Sequence, residues 1–404
     1  MGRNDRKERV IRMECYLDNS ATTKVYPEVV KLIEKIMLED YGNPSSVHTK
    51  GVDAEKYVTE ATKRVAKALK VNEKEIIFTS GGTESDNLAL IGAAMAYKRA
   101  GNHIITSKIE HPAILNTVKY LESEGFRVDY LDVDERGVVK LDDLKNKLSE
   151  ETILVSVMHT NNEVGSLQPI EEIGKIVKEY DQKIIFHVDA VQGFSKAEIY
   201  PKKANIDLLS ISGHKIHGPK GIGVLYANEK IRLKPITFGG GQQKGLRNGT
   251  LNTPGIAGIG LAAEMSCAKL KEDTERLYEL KAFFLQEVSK IDKVVVNGCD
   301  KDENGNYKVK ETAPHIINIS VIGLRSEVML HALEEKGIFV SAGSACASHS
   351  KKESSTLKAM GADAATMDGA LRISMSTFTT KEELEYVLDA LKELIPFYSR
   401  FVRK

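Results

Sequence analysis

The chain has 404 residues, and its 57 lysine and arginine residues balance its 57 aspartate and glutamate residues. A chain without net charge gives no electrostatic reason to expect nucleic acid or an anionic membrane surface as its main partner. Its four cysteines form no CxxC pair, which argues against a zinc site, and no run of about 18 apolar residues is present to cross a membrane. We therefore expect a cytoplasmic protein with no bound metal, no direct nucleic-acid contact and no membrane span.

Short apolar strands alternate with amphipathic stretches through the middle of the chain. Residues 1–12 are charged and are predicted to form a disordered tail. Strands are predicted at residues 75–79, 103–106, 127–131, 153–158, 183–188, 206–211 and 223–226, and helices include residues 84–99 and 170–180. This alternation is typical of a mostly parallel, doubly wound α/β sheet.

The pattern changes after the last of these strands. Glycines cluster at residues 239–241 and between 249 and 260, and a long helix is predicted at residues 265–291. The remainder mixes strands, such as residues 315–321, with helices, such as residues 381–394. We interpret residues 18–268 as a large α/β domain, and residues 13–17 with 269–404 as a smaller α+β domain.

Polar side chains follow five of the seven strands of the predicted sheet. They lie in residues 80–83, 110–112, 159–163, 189–192 and 212–215. Ligands of open α/β sheets bind beyond the carboxyl ends of the strands. The sequence therefore predicts an active site at this edge.

Three of these segments carry groups suited to a phosphorylated, electron-withdrawing cofactor. Gly82 and Thr83 open a helix whose N–H groups and hydroxyl suit a phosphate, although a plain helix N-cap has the same composition. Asp189 follows an apolar strand and suits a protonated pyridinium nitrogen, but capping a turn is an equal alternative. Lys215 lies in a loop bounded by glycine and proline and can bind a carbonyl covalently, whereas most loop lysines are simply exposed.

The other two segments supply weaker signals. His111 is flat and titrates near neutrality, so it can stack on a ring and move protons, although a single histidine is more often structural. Asn162 lies in residues 159–163, and Gln192 lies in residues 189–192 with Asp189. Both can donate hydrogen bonds to a ring hydroxyl, and both can make turn contacts instead.

Six motifs in this order resemble the cysteine desulfurases. They are residues 18–23 (Asp-Asn-Ser-Ala-Thr-Thr), 79–85 (Thr-Ser-Gly-Gly-Thr-Glu-Ser), 110–111 (Glu-His), 161–163 (Asn-Asn-Glu), 189–192 (Asp-Ala-Val-Gln) and 212–215 (Ser-Gly-His-Lys). The resemblance extends from about residue 16 to residue 393 and is strongest to the group that supplies sulfur for iron–sulfur clusters and tRNA thiolation. It implies a fold-type-I enzyme of the class-V aminotransferase family that uses pyridoxal 5′-phosphate (PLP).

The resemblance also implies roles for the residues that bind the cofactor. Lys215 matches the lysine that holds PLP covalently, Asp189 the partner of the ring nitrogen, and His111 the histidine stacked on the ring. Asn162 and Gln192 match groups near the ring hydroxyl. The implied phosphate site comprises Gly82, Thr83, Ser212 and His214, with Thr250 reaching the phosphate of the neighbouring subunit, which implies a homodimer.

Two residues of the smaller domain are implied to decide the reaction. Cys346 lies in residues 341–348 (Ser-Ala-Gly-Ser-Ala-Cys-Ala-Ser), a small-residue loop that suits a travelling thiol, although burial is the commoner fate of a free cysteine. The family's nucleophilic cysteine falls at this position. Arg372 matches the arginine that grips the substrate carboxylate, with Asn162 beside it. Residues 374–378 read Ser-Met-Ser-Thr-Phe where relatives often have Ser-Leu-Gly-Arg-Phe, so one nearby positive charge is missing.

The implied reaction takes sulfur from L-cysteine, releases L-alanine and leaves a persulfide on Cys346, with Lys215 and His111 as the other catalytic residues. The sulfur then passes to an acceptor protein, an iron–sulfur scaffold or a tRNA-thiolation enzyme. Two alternatives stay open from the residues: a selenocysteine lyase or another fold-type-I PLP enzyme, and a non-catalytic subunit that binds a sulfur protein.

Overall fold

A computed structural model describes residues 13–342 and 354–401 of the chain. Its strands are β1 Cys15–Tyr16, β2 Ile76–Thr79, β3 His103–Ser107, β4 Arg127–Leu131, β5 Thr152–Met158, β6 Ile185–Asp189, β7 Leu208–Ser212, β8 Gly223–Ala227, β9 Val294–Asn297, β10 Ile316–Val321, β11 Ile338–Phe339, β12 Ser341–Ala342 and β13 Ala370–Ser374. Its α-helices are α1 Pro27–Leu38, α2 Thr49–Leu69, α3 Gly82–Tyr97, α4 Pro112–Ser123, α5 Leu141–Lys147, α6 Ile170–Tyr180, α7 Thr253–Ala268, α8 Leu270–Val288, α9 Ser326–Glu334, α10 Ser355–Ala359, α11 Ala364–Asp368 and α12 Lys381–Ser399.

A seven-stranded sheet in the order β2-β8-β7-β6-β5-β3-β4 organises the larger part of the chain. All pairs from β7 to β4 are parallel, and only β8 runs against its two neighbours. This is the mostly parallel α/β sheet predicted from the sequence, and each of the seven predicted strands is present within two residues of its predicted bounds.

The central strands are apolar on both faces because helices cover both sides of the sheet. Leu154, Ile185 and Leu208 belong to a core cluster shared with α3 and α4. The alternating residues, such as Val155 and Phe186, belong to a second cluster shared with α2, α6 and α7. Side chains of one strand alternate between faces, so both clusters come from the same apolar runs.

A four-stranded antiparallel sheet in the order β12-β13-β10-β9 forms the centre of the remaining part. Helices α8, α9 and α12 pack beside it over a third apolar cluster. The N-terminal strand β1 pairs in parallel with β11, and Cys15 and Leu17 are buried in this cluster. The division into domains near Ala268 stays a prediction.

The prediction of one long helix at residues 265–291 is wrong. The chain forms two helices there, α7 and α8, because Lys269 leaves helical geometry with φ −109° and ψ 13°. The glycines between 249 and 260 lie partly inside α7, where they permit close packing: a Cβ on Gly260 would lie 2.6 Å from Cα of Ala61 in α2. Across residues 13–342 and 354–401, no helix is both long and apolar enough to cross a bilayer.

Candidate active site

The carboxyl ends of β2, β3, β5, β6 and β7 face one edge of the large sheet, since these strands run in the same direction. Asp189 and Ser212 are the last residues of β6 and β7, and His111 and Lys215 follow shortly after β3 and β7. The structure thus brings the predicted segments to a common edge.

Lys215 is held by the loop that carries the first motif. Its Nζ donates hydrogen bonds to the backbone oxygens of Ser20 and Ala21, the second at 2.8 Å. Gln192 Nε2 donates to the same oxygen of Ser20 at 2.9 Å. Residues 18–23 therefore fix both side chains through backbone acceptors, which accept a donor whatever side chain they carry.

Asp189 is a buried carboxylate, 5% exposed. Burial raises its pKa to about 6, while the backbone N–H of Val191, which donates to Oδ1 at 2.9 Å, and the charge of Lys215 act in the opposite direction. At neutral pH Asp189 is therefore mostly ionised, and its charge lies where a cationic ring atom would be stabilised.

Two histidines of the edge, His111 and His214, are neutral at pH 7. Burial, with a contribution from the charge of Lys215, lowers the pKa of His111 to about 4, and burial lowers that of His214 to about 4 as well. His111 caps α4, and its Nδ1 accepts a hydrogen bond from the N–H of Ala113 at 3.1 Å. Its proton therefore sits on Nε2, which makes that atom a donor.

Gly82 and Thr83 form the first turn of α3, as the phosphate prediction requires. A Cβ on Gly82 would lie 2.7 Å from Cγ2 of Val191, so glycine lets the turn after β6 pack closely against the start of α3. The next acidic residue, Glu84, accepts from the N–H of Ser80 at 2.6 Å and from Nε of Arg247 at 2.9 Å. These contacts of Glu84 hold the start of α3 in place. The first N–H groups of a helix have no acceptor within that helix, so they are available to a ligand.

Arg372 reaches this edge from β13 of the smaller sheet. It is 4% exposed, and its two terminal nitrogens donate to the backbone oxygen of Asn162 at 2.9 Å and to Oδ1 of Asp18 at 2.8 Å. Its Nε has no hydrogen-bond partner in the described part of the chain. The guanidinium is therefore fixed in place and still has N–H groups to offer.

Two further residues predicted for the site are Thr250 and Cys346. Thr250 is exposed, on the loop that carries Arg247 to the start of α3. Cys346 lies outside the described residues, so its predicted role stays a prediction.

Comparisons with known proteins agree with this geometry. The model of the aminotransferase class-V family matches residues 15–387. A cysteine desulfurase IscS of Clostridium botulinum is 45% identical over 383 residues, 95% of this chain and 94% of the relative. The chain belongs to the cysteine desulfurases of the class-V aminotransferase family.

Solved structures of cysteine-desulfurase relatives share the fold. A NifS-like protein has 37% sequence identity and a TM-score of 0.88, with 95% of this chain and all of that chain covered. The structure of SspA in complex with cysteine has 32% identity and a TM-score of 0.77, with 91% of this chain covered and all of that one. These likenesses confirm the expected fold-type-I architecture.

Enzymes of this family depend on PLP, and the residues present fit it. The first turn of α3 offers N–H groups to a phosphate, Asp189 offers a buried negative charge to the ring nitrogen, and Lys215 offers a primary amine to the aldehyde. Each group of the cofactor has a chemically matched partner at one sheet edge.

The sequence analysis did not identify two residues of this cysteine desulfurase that hold other side chains in place. Asp18 orients Arg372, and Glu163 accepts hydrogen bonds from the hydroxyls of Ser354 at 2.5 Å and Thr356 at 3.2 Å. Both lie in motifs that carried the family resemblance, so the signal was present, but only the fold shows which distant residue each one contacts.

Proposed function

We propose that this chain takes sulfur from L-cysteine, keeps it as a persulfide on Cys346 and releases L-alanine. The observation that carries the proposal is the meeting of Lys215, Asp189 and His111 with Arg372 at one sheet edge. The equation balances: the thiol of Cys346 gains the sulfur atom, and the substrate's C–S bond is replaced by a C–H bond. The relative whose structure was solved in complex with cysteine supports the choice of substrate.

We assign the residues at this sheet edge to the parts of the cofactor that they match chemically. Lys215 would hold PLP covalently, Asp189 would pair with its ring nitrogen, and His111 would stack on its ring. Gly82, Thr83, Ser212 and His214 would hold the phosphate, with Gln192 and Asn162 near the ring hydroxyl. When bound, PLP supplies the electron sink that makes the substrate's α-proton acidic and weakens its C–S bond.

Three side chains would handle protons and the substrate. Lys215 Nζ is a primary amine at this edge and would accept the substrate's α-proton. His111 would act as an acid or base at the sulfur-transfer step, where its neutral ring offers Nε2–H as a hydrogen-bond donor. Arg372, already fixed by Asp18 and Asn162, would bind the substrate carboxylate through its remaining N–H groups.

We also propose a homodimer as the working form. Thr250, which would reach the phosphate of the other subunit, is exposed in the isolated chain. Large apolar side chains are exposed too: Val47 is 99%, Phe238 83% and Tyr41 70% exposed. Apolar surface of this kind is typical of residues that a partner covers.

The persulfide would pass to an acceptor protein, either a scaffold for iron–sulfur clusters or a tRNA-thiolation enzyme. We place the enzyme in the cytoplasm, where thiols stay reduced. Cys15, Cys267 and Cys299 are free, in keeping with this.

The test is a visible absorption spectrum of the purified protein before and after adding L-cysteine, with alanine quantified. We expect a cofactor band that changes on addition, and alanine as product. In Cys346→Ser the band should still respond to cysteine while alanine formation is lost, and Cys299→Ser should behave as wild type. Alanine formed by Cys346→Ser would contradict the role of Cys346, and alanine formed only from selenocysteine would favour the lyase alternative. No band and no alanine with added PLP would leave the binding-subunit alternative.

A further inference from the structure

A polar layer lies within the large sheet and its covering helix, beneath Asp189. It comprises Asp86 of α3, Ser156 of β5, His187 of β6 and Ser210 of β7, each at most 1% exposed. The apolar residues Leu154, Ile185 and Leu208 lie on the same strands, two residues before the polar members and therefore on the same face, further from the site. The layer thus separates the charged sheet edge from the hydrocarbon core, and the chemistry described above uses none of its members.

Contacts within the layer are short and involve hydroxyl groups. His187 Nδ1 lies 2.8 Å from Oγ of Ser156, and its Nε2 lies 3.0 Å from Oγ of Ser210. Oδ1 of Asp86 is 3.7 Å from the same Nε2, and Ser210 also makes a side-chain hydrogen bond to Asp86. Ser210 is the register partner of Asp189 in the neighbouring strand, and His187 lies two residues before Asp189 on β6, so the layer adjoins Asp189 within the sheet.

The surroundings decide which of the two aspartates holds a proton. Asp189 receives the N–H of Val191 and faces the cation of Lys215, whereas Oδ1 of Asp86 has no hydrogen-bond partner among the described residues. The charge of Asp189 acts on Asp86, and two interacting buried carboxylates cannot both be ionised without a large cost. The proton therefore belongs on Asp86 and the charge on Asp189.

The titration behaviour of the groups around Asp189 agrees with this assignment. Burial, followed by the charge of Asp189, raises the pKa of Asp86 well above its ordinary value. Burial lowers the pKa of His187 to about 3, so the contact between His187 and Asp86 joins two neutral groups. Glu110, the other carboxyl that faces Asp189, is also kept protonated by burial, which raises its pKa to about 8.

We propose that Asp86, His187 and Ser210 act as positioning residues that stabilise the ionised Asp189 carboxylate with neutral dipoles, and so strengthen retention of the cofactor. Dipoles that are already oriented stabilise a buried charge without reorganising, which hydrocarbon in the same place cannot do. The inference rests on the proposed function only through cofactor binding, since it needs PLP but not desulfuration.

The experiment titrates PLP into the cofactor-free chain across a pH series and follows the absorption band of the bound cofactor. In the wild type, affinity should fall as the pH drops and Asp189 takes up a proton. Asp86→Leu, which is similar in size but apolar, should move this fall about one pH unit upward, which weakens binding about twofold at pH 7 and roughly tenfold at pH 5. Asp86→Asn, which keeps a neutral polar group, should retain the wild-type profile.

Ser210→Ala provides a smaller perturbation if Asp86→Leu does not fold, and it should shift the profile in the same direction. Ser320→Ala is its matched control, because Ser320 is an equally buried serine that donates to the backbone oxygen of Thr366 at 2.7 Å, far from the layer in the smaller sheet. It should lower the unfolding midpoint without moving the pH profile.

Two results would overturn the proposal. Wild-type pH profiles for both Asp86→Leu and Ser210→Ala would mean that the layer is only structural. A profile of Asp86→Asn moved to lower pH would mean that Asp86 carries a charge in the wild type. A wild type that binds PLP but makes no alanine would refute the proposed function and leave this test intact.

Discussion

Glu110 offers a direct test of how burial controls charge at the site, through the substitution Glu110→Gln. The side chain is 3% exposed, and Oε1 accepts hydrogen bonds from Oγ of Ser107 at 2.5 Å and from the N–H of Met158 at 3.0 Å. Oε2 has no hydrogen-bond partner in the described residues. Burial raises its pKa from 4.5 to about 8, so the folded protein keeps the proton that the unfolded chain has lost.

The sign and size of the effect follow from proton linkage. Because the pKa is raised by folding, the stabilising contribution of protonated Glu110 is complete below about pH 4.5 and is lost as the pH rises through about 8. In this window the free energy of unfolding falls by about 1.4 kcal/mol per pH unit from this group alone. Glutamine has the same shape and does not titrate, so this part of the slope should vanish.

The assay is guanidinium unfolding of wild type and Glu110→Gln, both saturated with PLP, at several pH values. From about pH 5.5 to about pH 8 the variant should gain about 3 kcal/mol relative to wild type. Glu303→Gln, a change at an exposed carboxylate, should leave the difference from wild type constant. Parallel stability curves for wild type and Glu110→Gln would refute the reasoning, because they would mean that Glu110 is ionised in the folded protein.

Three further predictions test other parts of the structure. Arg372→Lys should raise KM for cysteine roughly tenfold while the cofactor spectrum is unchanged, because an ammonium cannot donate the two parallel hydrogen bonds that a guanidinium donates to a carboxylate. An unchanged KM in steady-state kinetics would contradict this. Lys281→Met should cost about 3 kcal/mol in denaturant unfolding, since the ammonium satisfies three buried oxygens at 2.6–2.8 Å; equal stability would contradict it. Gly174→Ala should cost about 1–3 kcal/mol in the same assay, because its Cβ would lie 2.0 Å from the backbone oxygen of Ala204.

The large sheet could be predicted from the sequence because its strands are continuous apolar runs bounded by polar turns. Errors arose where local pattern and tertiary packing disagree. The glycines of α7 suggested an end of regular structure, yet Gly258 and Gly260 serve the contact of α7 with its neighbours, a reason that only the packed helices reveal. The break between α7 and α8 falls at Lys269, where no glycine or proline signals the end of a helix.

The site was predictable where residues follow strands, and less so where partners are distant in sequence. Asp189 and Lys215 could be placed from strand ends alone, since parallel strands bring their carboxyl ends together. The backbone oxygens that hold Lys215 come from residues nearly 200 positions earlier, and the partner of Arg372 lies 354 positions away. No spacing rule predicts such pairs.

The motif at residues 18–23 gains a physical explanation from these contacts. Asp18 orients Arg372, the N–H of Ser20 donates to Oγ of Ser374 at 2.8 Å, and the backbone oxygen of Ser20 accepts from Lys215. One short loop thus joins β13 of the smaller sheet to the lysine at the edge of the large one. A change in the position of β13 relative to this edge would move Arg372 and the acceptors of Lys215 together. The distance between the guanidinium of Arg372 and the amine of Lys215 is therefore set by this loop rather than by either sheet alone.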